Sequence, residues 1–179
     1  MQDEKNLAWL DLEMTGLEPA TDVIMEIATI VTDSELNVLA EGPVMAIHQP
    51  KTVLDHMDPW CIDQHGRSGL TAKCLESSIS VAEAQARTVE FIAQYCPERK
   101  APLCGNTIGQ DRRFLVKYMP VLHEFFHYRS IDVSTVKELV SRWYPDDKYQ
   151  YSKTKQHEAL EDIRESIAEL KHYRKTVFK

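Results

Sequence analysis

The sequence predicts an α/β fold, a mixed sheet flanked by helices, in a single domain over residues 1–179. Three observations lead there. Strand-like runs fill the first third of the chain, helical periodicity takes over from Ser80, and short strand candidates recur between the later helices. A length of 179 residues suits one domain with a proper core, and no repeat, low-complexity run or linker marks a second.

The elements follow in order. Leu7–Met14 is apolar apart from Asp11 and Glu13 and reads as a buried strand. A turn through Gly16-Leu17-Glu18-Pro19 leads to Ile24–Thr32, rich in Ile, Val and Thr, a second strand. Asn37–Ile47 supplies a third, interrupted by Gly42-Pro43, so the opening is a strand meander. Residues 50–75 are irregular or short-helical, because Asp58-Pro59, Gly66 and Gly69 break any long element. Ser80 opens a helix, with Glu83 completing a capping box and Val81, Ala84, Thr88, Phe91, Ile92 and Tyr95 at steps of three and four. Ala101–Cys104 is a short strand, Thr107–Met119 a helix, Ser130–Val133 a last strand, and a helix runs on to about Tyr144. The closing helix carries Leu160, Ile163, Ile167 and Leu170 on one stripe, extended by Tyr173 and Val177. Strands first and helices interleaved afterwards give a mixed sheet covered by helices.

Composition narrows the function classes. A net charge of −7 argues against broad binding to long duplex nucleic acid, which relies on many Lys and Arg contacts to phosphates. It leaves room for a small phosphorylated substrate. The polar, acidic start is unlike a signal peptide, and no apolar run approaches the ~20 residues that span a bilayer, so no membrane is expected. Cys61, Cys74, Cys96 and Cys104 lack zinc-type spacing and read as reduced thiols of a cytoplasmic protein.

The chemistry sits in misplaced acids. Asp11 and Glu13 alternate along their strand and therefore point the same way, one pleat apart. Two like charges side by side are unfavourable unless a cation lies between them, and hard divalent cations take oxygen ligands. The alternative is an edge strand with a solvated face. Asp111 falls on the packing stripe of its helix with Ile108, Leu115 and Tyr118. A lone buried carboxylate there is very costly. Its neighbours Arg112 and Arg113 point elsewhere on the helix and make poor partners. His157 and Asp162 stand at the head of the last helix, about 140° apart on an ideal helix, so they converge only if His157 lies at the entrance. Asp11, Glu13, Asp111 and Asp162 form the kind of carboxylate set that a two-metal phosphoryl-transfer site needs, with His157 the natural general base.

In this order, Asp-x-Glu, then Asp, then His-x-x-x-x-Asp resembles the DEDDh group of 3′→5′ exonucleases, which share a ribonuclease-H-like fold. Trp9-Leu-Asp-Leu-Glu-Met-Thr-Gly-Leu17, Cys104-Gly-Asn-Thr-Ile-Gly-Gln-Asp-Arg-Arg-Phe114 and Asp162-Ile-Arg-Glu-Ser166 are similar to the oligoribonuclease branch of that group. Lys117-Tyr-Met-Pro120 and Asp132-Val-Ser-Thr135 extend the likeness over nearly the whole chain. The resemblance implies cleavage of very short single-stranded RNA, down to dinucleotides, from the 3′ end to nucleoside 5′-monophosphates. It implies two Mg²⁺ or Mn²⁺ ions on Asp11, Glu13, Asp111 and Asp162, with His157 as base. Leu17 would wedge between the two bases, and Trp60 and His65 would line the pocket at the 3′ end. Thr107, Arg129 and Ser134 would close around the 5′ phosphate. The group is typically homodimeric, and Tyr128 would reach into the partner's site. Physical chemistry agrees in part: Thr107 opens a helix, where free N–H groups favour anions, and Arg129 can grip phosphate bidentately.

Leu17 and Trp60 could equally be core, and Ser134 a simple helix cap. The chain also departs from the family pattern. Gln156 stands where Thr is usual and Thr107 where Ser is common, and Glu161 replaces the usual acid neighbour of Asp162. Three rivals share some of these features. A haloacid-dehalogenase-type phosphatase would use Asp11 as nucleophile, but needs Asp where Glu13 stands and gives no role to Asp111 or His157. A non-catalytic RNA-binding module with a decayed site would have lost at least one of the five residues. The acidic charge and the matching runs speak against a DNA proofreading exonuclease.

Overall fold

The computed structural model describes residues 2–152 and 158–178. Strand β1 (Leu7–Met14) pairs antiparallel with β2 (Ile24–Thr32), which carries β3 (Val38–Glu41) along one part of its far edge and β4 (Met45–Ala46) along another. The anticipated third strand over Asn37–Ile47 is thus two short strands, since Gly42-Pro43 breaks the ladder between them. Helices α1 (Lys51–Leu54), α2 (Pro59–Arg67) and α3 (Leu70–Glu76) fill the next segment. Asp58 caps α2 by accepting from the N–H groups of Trp60 and Cys61, with Pro59 in the first turn where its missing N–H costs nothing. Helix α4 (Val81–Ala93) starts at the expected Ser80 cap, whose Oγ accepts from Glu83 N at 3.1 Å, while the Glu83 carboxylate turns to Arg87 instead of back to the cap.

Strand β5 (Leu103–Gly105) joins β1 on its other side, parallel, and β6 (Ser130–Asp132) lies parallel beyond it. Between them run α5 (Ile108–Tyr118) and a short α6 (Pro120–Phe125), separated because Pro120 cannot continue the ladder of α5. Helix α7 (Val133–Trp143) follows β6, and α8 (Ala159–Thr176) closes the chain. The sheet order is β3-β2-β1-β5-β6 with β4 on β2, so β1 is not an edge strand, although at Asp11–Glu13 it is paired on the β2 side alone.

The pleat of β1 divides the core. Ala8, Leu10 and Leu12 face α4, α5 and α6, packing against Ala84, Ile92, Leu115 and Leu122. Trp9 faces the other layer, with Val133, Ile163, Ile167 and Tyr173 of α7 and α8. Asp11 and Glu13 continue the Trp9 face and so look toward the start of α8. Strand β5 reaches only to Ala8 and Trp9 of β1 before Gly105 ends it, so the last residues of β1 run past it into a gap. The site forms there, at the C-terminal ends of parallel strands. Among the described residues no helix is long and apolar enough to cross a membrane.

Candidate active site

Asp11, Glu13 and Asp162 each offer a carboxylate oxygen, and these oxygens lie within 4.8 Å of one another. The strand contributes two because alternate residues share a face; α8 contributes the third from its first turn. Asp111, only 6% exposed, arrives from the other layer. Its Oδ1 accepts from Leu12 N at 2.9 Å, filling the ladder position that β5 leaves open. The acid predicted on the packing stripe of α5 is therefore buried beside Ile108 and Leu115 as expected. The adjacent arginines do not serve it. Arg112 donates to the carbonyls of His127 and Arg129, and Arg113 turns to Leu17 and Glu18.

Electrostatics mark these acids as unsettled. Burial first, then the charges of Asp162, Glu26 and Asp111, pushes the Glu13 carboxyl up to about 8. Burial likewise raises Asp111 well above the usual carboxylate range, against the pull of the Leu12 N–H. A bound cation would relieve both, and converging carboxylate oxygens are the donors that Mg²⁺ or Mn²⁺ takes. The residues fit such ions.

Glu26 is a participant that the sequence reading passed over. It lies directly opposite Glu13 in the β1–β2 ladder, is 7% exposed, and its carboxylate accepts from Ala159 N–H. The N-cap residue before α8, Glu158, makes no side-chain cap, so Glu26 supplies one from the sheet and fixes the end of the helix that bears Asp162. The signal was available: Glu26 is the one charged residue inside Ile24–Thr32. His157 lies outside the described residues.

Next to Glu13 opens a cleft of about 350 Å³ lined by Met14, Leu17, Asp58, Trp60 and His65 among others. Leu17 and Trp60 are 72% and 64% exposed, so neither is core. His65 is buried, and its Nε2 lies 3.0 Å from Met14 O. Burial lowers its pKa, and the neutral ring donates from that nitrogen to the carbonyl.

A second cleft, about 340 Å³, is lined by Thr107, Asp132, Ser134 and Arg142 among others. Thr107 and Ser134 meet there, Oγ to Oγ, at 3.1 Å. One expectation is corrected: the Thr107 N–H is not free for an anion, because it donates to Asp132 Oδ1 and Ser134 Oγ. Asp132, not Ser134, caps α7. Arg129 does not line this cleft; its guanidinium lies over the Tyr128 ring, 5.4 Å from the centroid. Tyr128 itself projects into solvent, 76% exposed.

Comparison with known proteins follows the same lines. Residues 8–170 match the RNase T family, described as an exonuclease. An oligoribonuclease of Pseudoalteromonas atlantica is 60% identical over 176 residues, covering 98% of this chain and 97% of that protein. One from Pseudomonas aeruginosa PAO1 is 60% identical over 174 residues, with 97% of each covered. Among solved structures, exonuclease I from Methylocaldum szegediense superposes with a TM-score of 0.72 at 20% identity, over 97% of this chain. E. coli exonuclease I in complex with a dT13 oligonucleotide gives 0.72 at 19%, over 98%. This chain spans only 41% and 42% of those two, so they speak for the fold alone.

Proposed function

The chain belongs to the RNase T exonuclease family, and within it to the oligoribonucleases; on that premise we propose that this 3′→5′ exoribonuclease acts on very short single-stranded RNA, above all dinucleotides. The observation that carries the reading is the convergence of Asp11, Glu13 and Asp162 beside an open cleft with exposed apolar walls. In this reading Asp11, Glu13, Asp111 and Asp162 hold two Mg²⁺ or Mn²⁺ ions. Bound there, the ions supply Lewis-acid stabilisation of charge on the phosphoryl oxygens. The buried acids orient those ligands: Leu12 N–H fixes Asp111, and Glu26 fixes the first turn of α8 under Asp162. His157, four residues before Glu161 in the sequence, takes the proton of the attacking water, a role for which imidazole is the usual side chain.

Leu17 and Trp60 offer apolar surface to the bases, and His65, its proton committed to Met14 O, packs the cleft floor. Thr107 and Ser134 present hydroxyls to a 5′ phosphate, and Arg129 swings from Tyr128 to join them. Since the Thr107 N–H is engaged, that group would not bind the phosphate, and the hydroxyls and guanidinium would. The protein acts in the cytoplasm as a homodimer, with Tyr128 entering the partner's site.

One assay tests the substrate and the metals together. A 5′-phosphorylated diribonucleotide should be cleaved faster than a longer RNA or a DNA dinucleotide with Mg²⁺ or Mn²⁺, and EDTA should stop the reaction. Preference for the longer RNA would refute the substrate assignment, and activity in EDTA would refute the metal mechanism.

A further inference from the structure

The segment 16–22 that carries Leu17 is fastened to one face of α5. Gln110 Nε2 donates to Leu17 O, and Arg113 donates to the same oxygen at 3.3 Å while its other nitrogen meets the Glu18 carboxylate at 3.3 Å. The two side chains also brace each other, Arg113 Nη1 to Gln110 Oε1 at 2.9 Å. One and two turns further along, Lys117 donates to Pro19 O and Ala20 O, and the Tyr118 hydroxyl to Asp22 O at 2.6 Å. Positions 110, 113 and 117 share one side of the helix and Tyr118 adjoins it from the packing stripe; together they engage the carbonyls of Leu17, Pro19, Ala20 and Asp22.

The segment is also closed on itself. Asp22 accepts from Glu18 N at 2.9 Å and from Thr15 Oγ1 at 3.2 Å, folding over Gly16, where an added Cβ would lie 2.5 Å from the carboxylate. A single exposed leucine would mean little alone. Here its backbone oxygen takes two side-chain donors, one of them charged, and the adjoining residues cannot drift independently.

We propose that Gln110 and Arg113 are positioning residues that set the height of Leu17 over the Glu13 cleft, and with it the seating of a nucleobase against Leu17. This rests on the substrate reading above. The arrangement has a mechanistic consequence. Asp111 follows Gln110 directly and points inward to Leu12, so one turn of α5 fixes both a metal-ligand carboxylate and the wall that receives the base. The distance between base contact and scissile phosphate is then set by a rigid helix and not by a free loop.

The test is a double-mutant cycle on the full chain with a 5′-phosphorylated diribonucleotide and Mn²⁺. Gln110→Ala with Arg113→Ala should raise KM about tenfold, since a small misplacement of a binding wall costs about this much, and leave kcat within about twofold. The Mn²⁺-induced rise in Tm should be unchanged, which separates lost positioning from a general loosening of α5. In a Leu17→Ala background the same pair of substitutions should add almost nothing, because their effect passes through Leu17. Additive effects, an unchanged KM in the paired variant or in Leu17→Ala, or a parallel fall in kcat and Mn²⁺ response would each overturn the proposal. If the unsubstituted chain fails to cleave the diribonucleotide, the substrate reading falls and this one with it. If it cleaves normally and only the KM shifts are missing, this one alone falls.

Discussion

Burial makes Glu13 and Asp111 reluctant to ionise, while the proposed chemistry needs both charged. In the metal-free native protein Glu13 keeps its proton up to about pH 8, whereas in the unfolded chain it ionises near its ordinary 4.5. The native state therefore binds the extra proton across that interval, and the metal-free protein should lose stability as pH rises through it. Divalent ions compete with those protons, so binding strengthens with pH. The Tm rise on adding Mn²⁺ should be larger at pH 8 than at pH 6; equal rises would show that the cation does not displace these protons. Asp111→Asn keeps the volume and an oxygen for the Leu12 N–H while removing a charge from the proposed ligand set. Hydrolysis should fall by at least about 10³-fold with the circular dichroism spectrum and Tm of the metal-free protein retained. Near-normal turnover would remove Asp111 from the metal set. These acids were legible in the sequence because each breaks a local pattern: Asp11 and Glu13 an apolar strand, Asp111 an apolar stripe. Glu26 breaks one too and was still passed over, since a single charge in an apolar run carries no partner with it; Ala159 lies far along the chain.

The elements matter through where they end. Strand β5 stops at Gly105, which opens the edge of β1 at Leu12, and α8 begins at Ala159, which brings Asp162 to Asp11 and Glu13. A link ties the loop after β5 to the middle of α8. Glu169, fully buried on α8, accepts from the Tyr173 hydroxyl at 2.8 Å and from Asn106 Nδ2 at 3.0 Å, and Asn106 sits in the loop between β5 and α5. Truncating the acid leaves the buried Tyr173 hydroxyl and the half-buried Asn106 amide without that partner. Glu169→Ala should therefore cost about 2–4 kcal/mol in urea unfolding of the metal-free protein. A loss under about 0.5 kcal/mol, the range of an ordinary surface change, would mean that water replaces the carboxyl. Element positions were read well from periodicity and punctuation: β1 and β2 fall where the apolar runs place them, and α4 starts at Ser80. What periodicity does not carry is contact between elements remote in the chain. The fastening of residues 17–22 to α5 joins side chains to carbonyls more than ninety positions away, with no local pattern to betray it. The Thr107 N–H misled for a related reason, because its acceptors come from Asp132 and Ser134 on the neighbouring strand and helix.

At the scale of the whole molecule, the proposed homodimer would complete each site with a residue of the other chain. Tyr128 stands 76% exposed, with Arg129 over one side of its ring and His127 4.3 Å from its centroid. In the proposed dimer, an aromatic held outward in this way is free to reach a nucleobase in the other chain's cleft. Two-fold pairing makes that exchange mutual, so each protomer would lend Tyr128 and borrow its partner's. The consequence is complementation between damaged chains. On the proposed arrangement Tyr128→Ala would spoil the site of the partner, whereas Asp111→Asn would spoil the site of the chain that carries it. In a mixed dimer one site then combines the intact acids of the first variant with the tyrosine of the second. Co-refolding the two variants in equal amounts should recover about a quarter of wild-type activity on a diribonucleotide, since random pairing yields half mixed dimers with one good site each. Either variant refolded alone should stay near its own low baseline. If the mixture gives only the average of the two variants, Tyr128 serves its own chain or none, and the shared-site arrangement is wrong; sedimentation of the same samples shows whether the dimer was there to share.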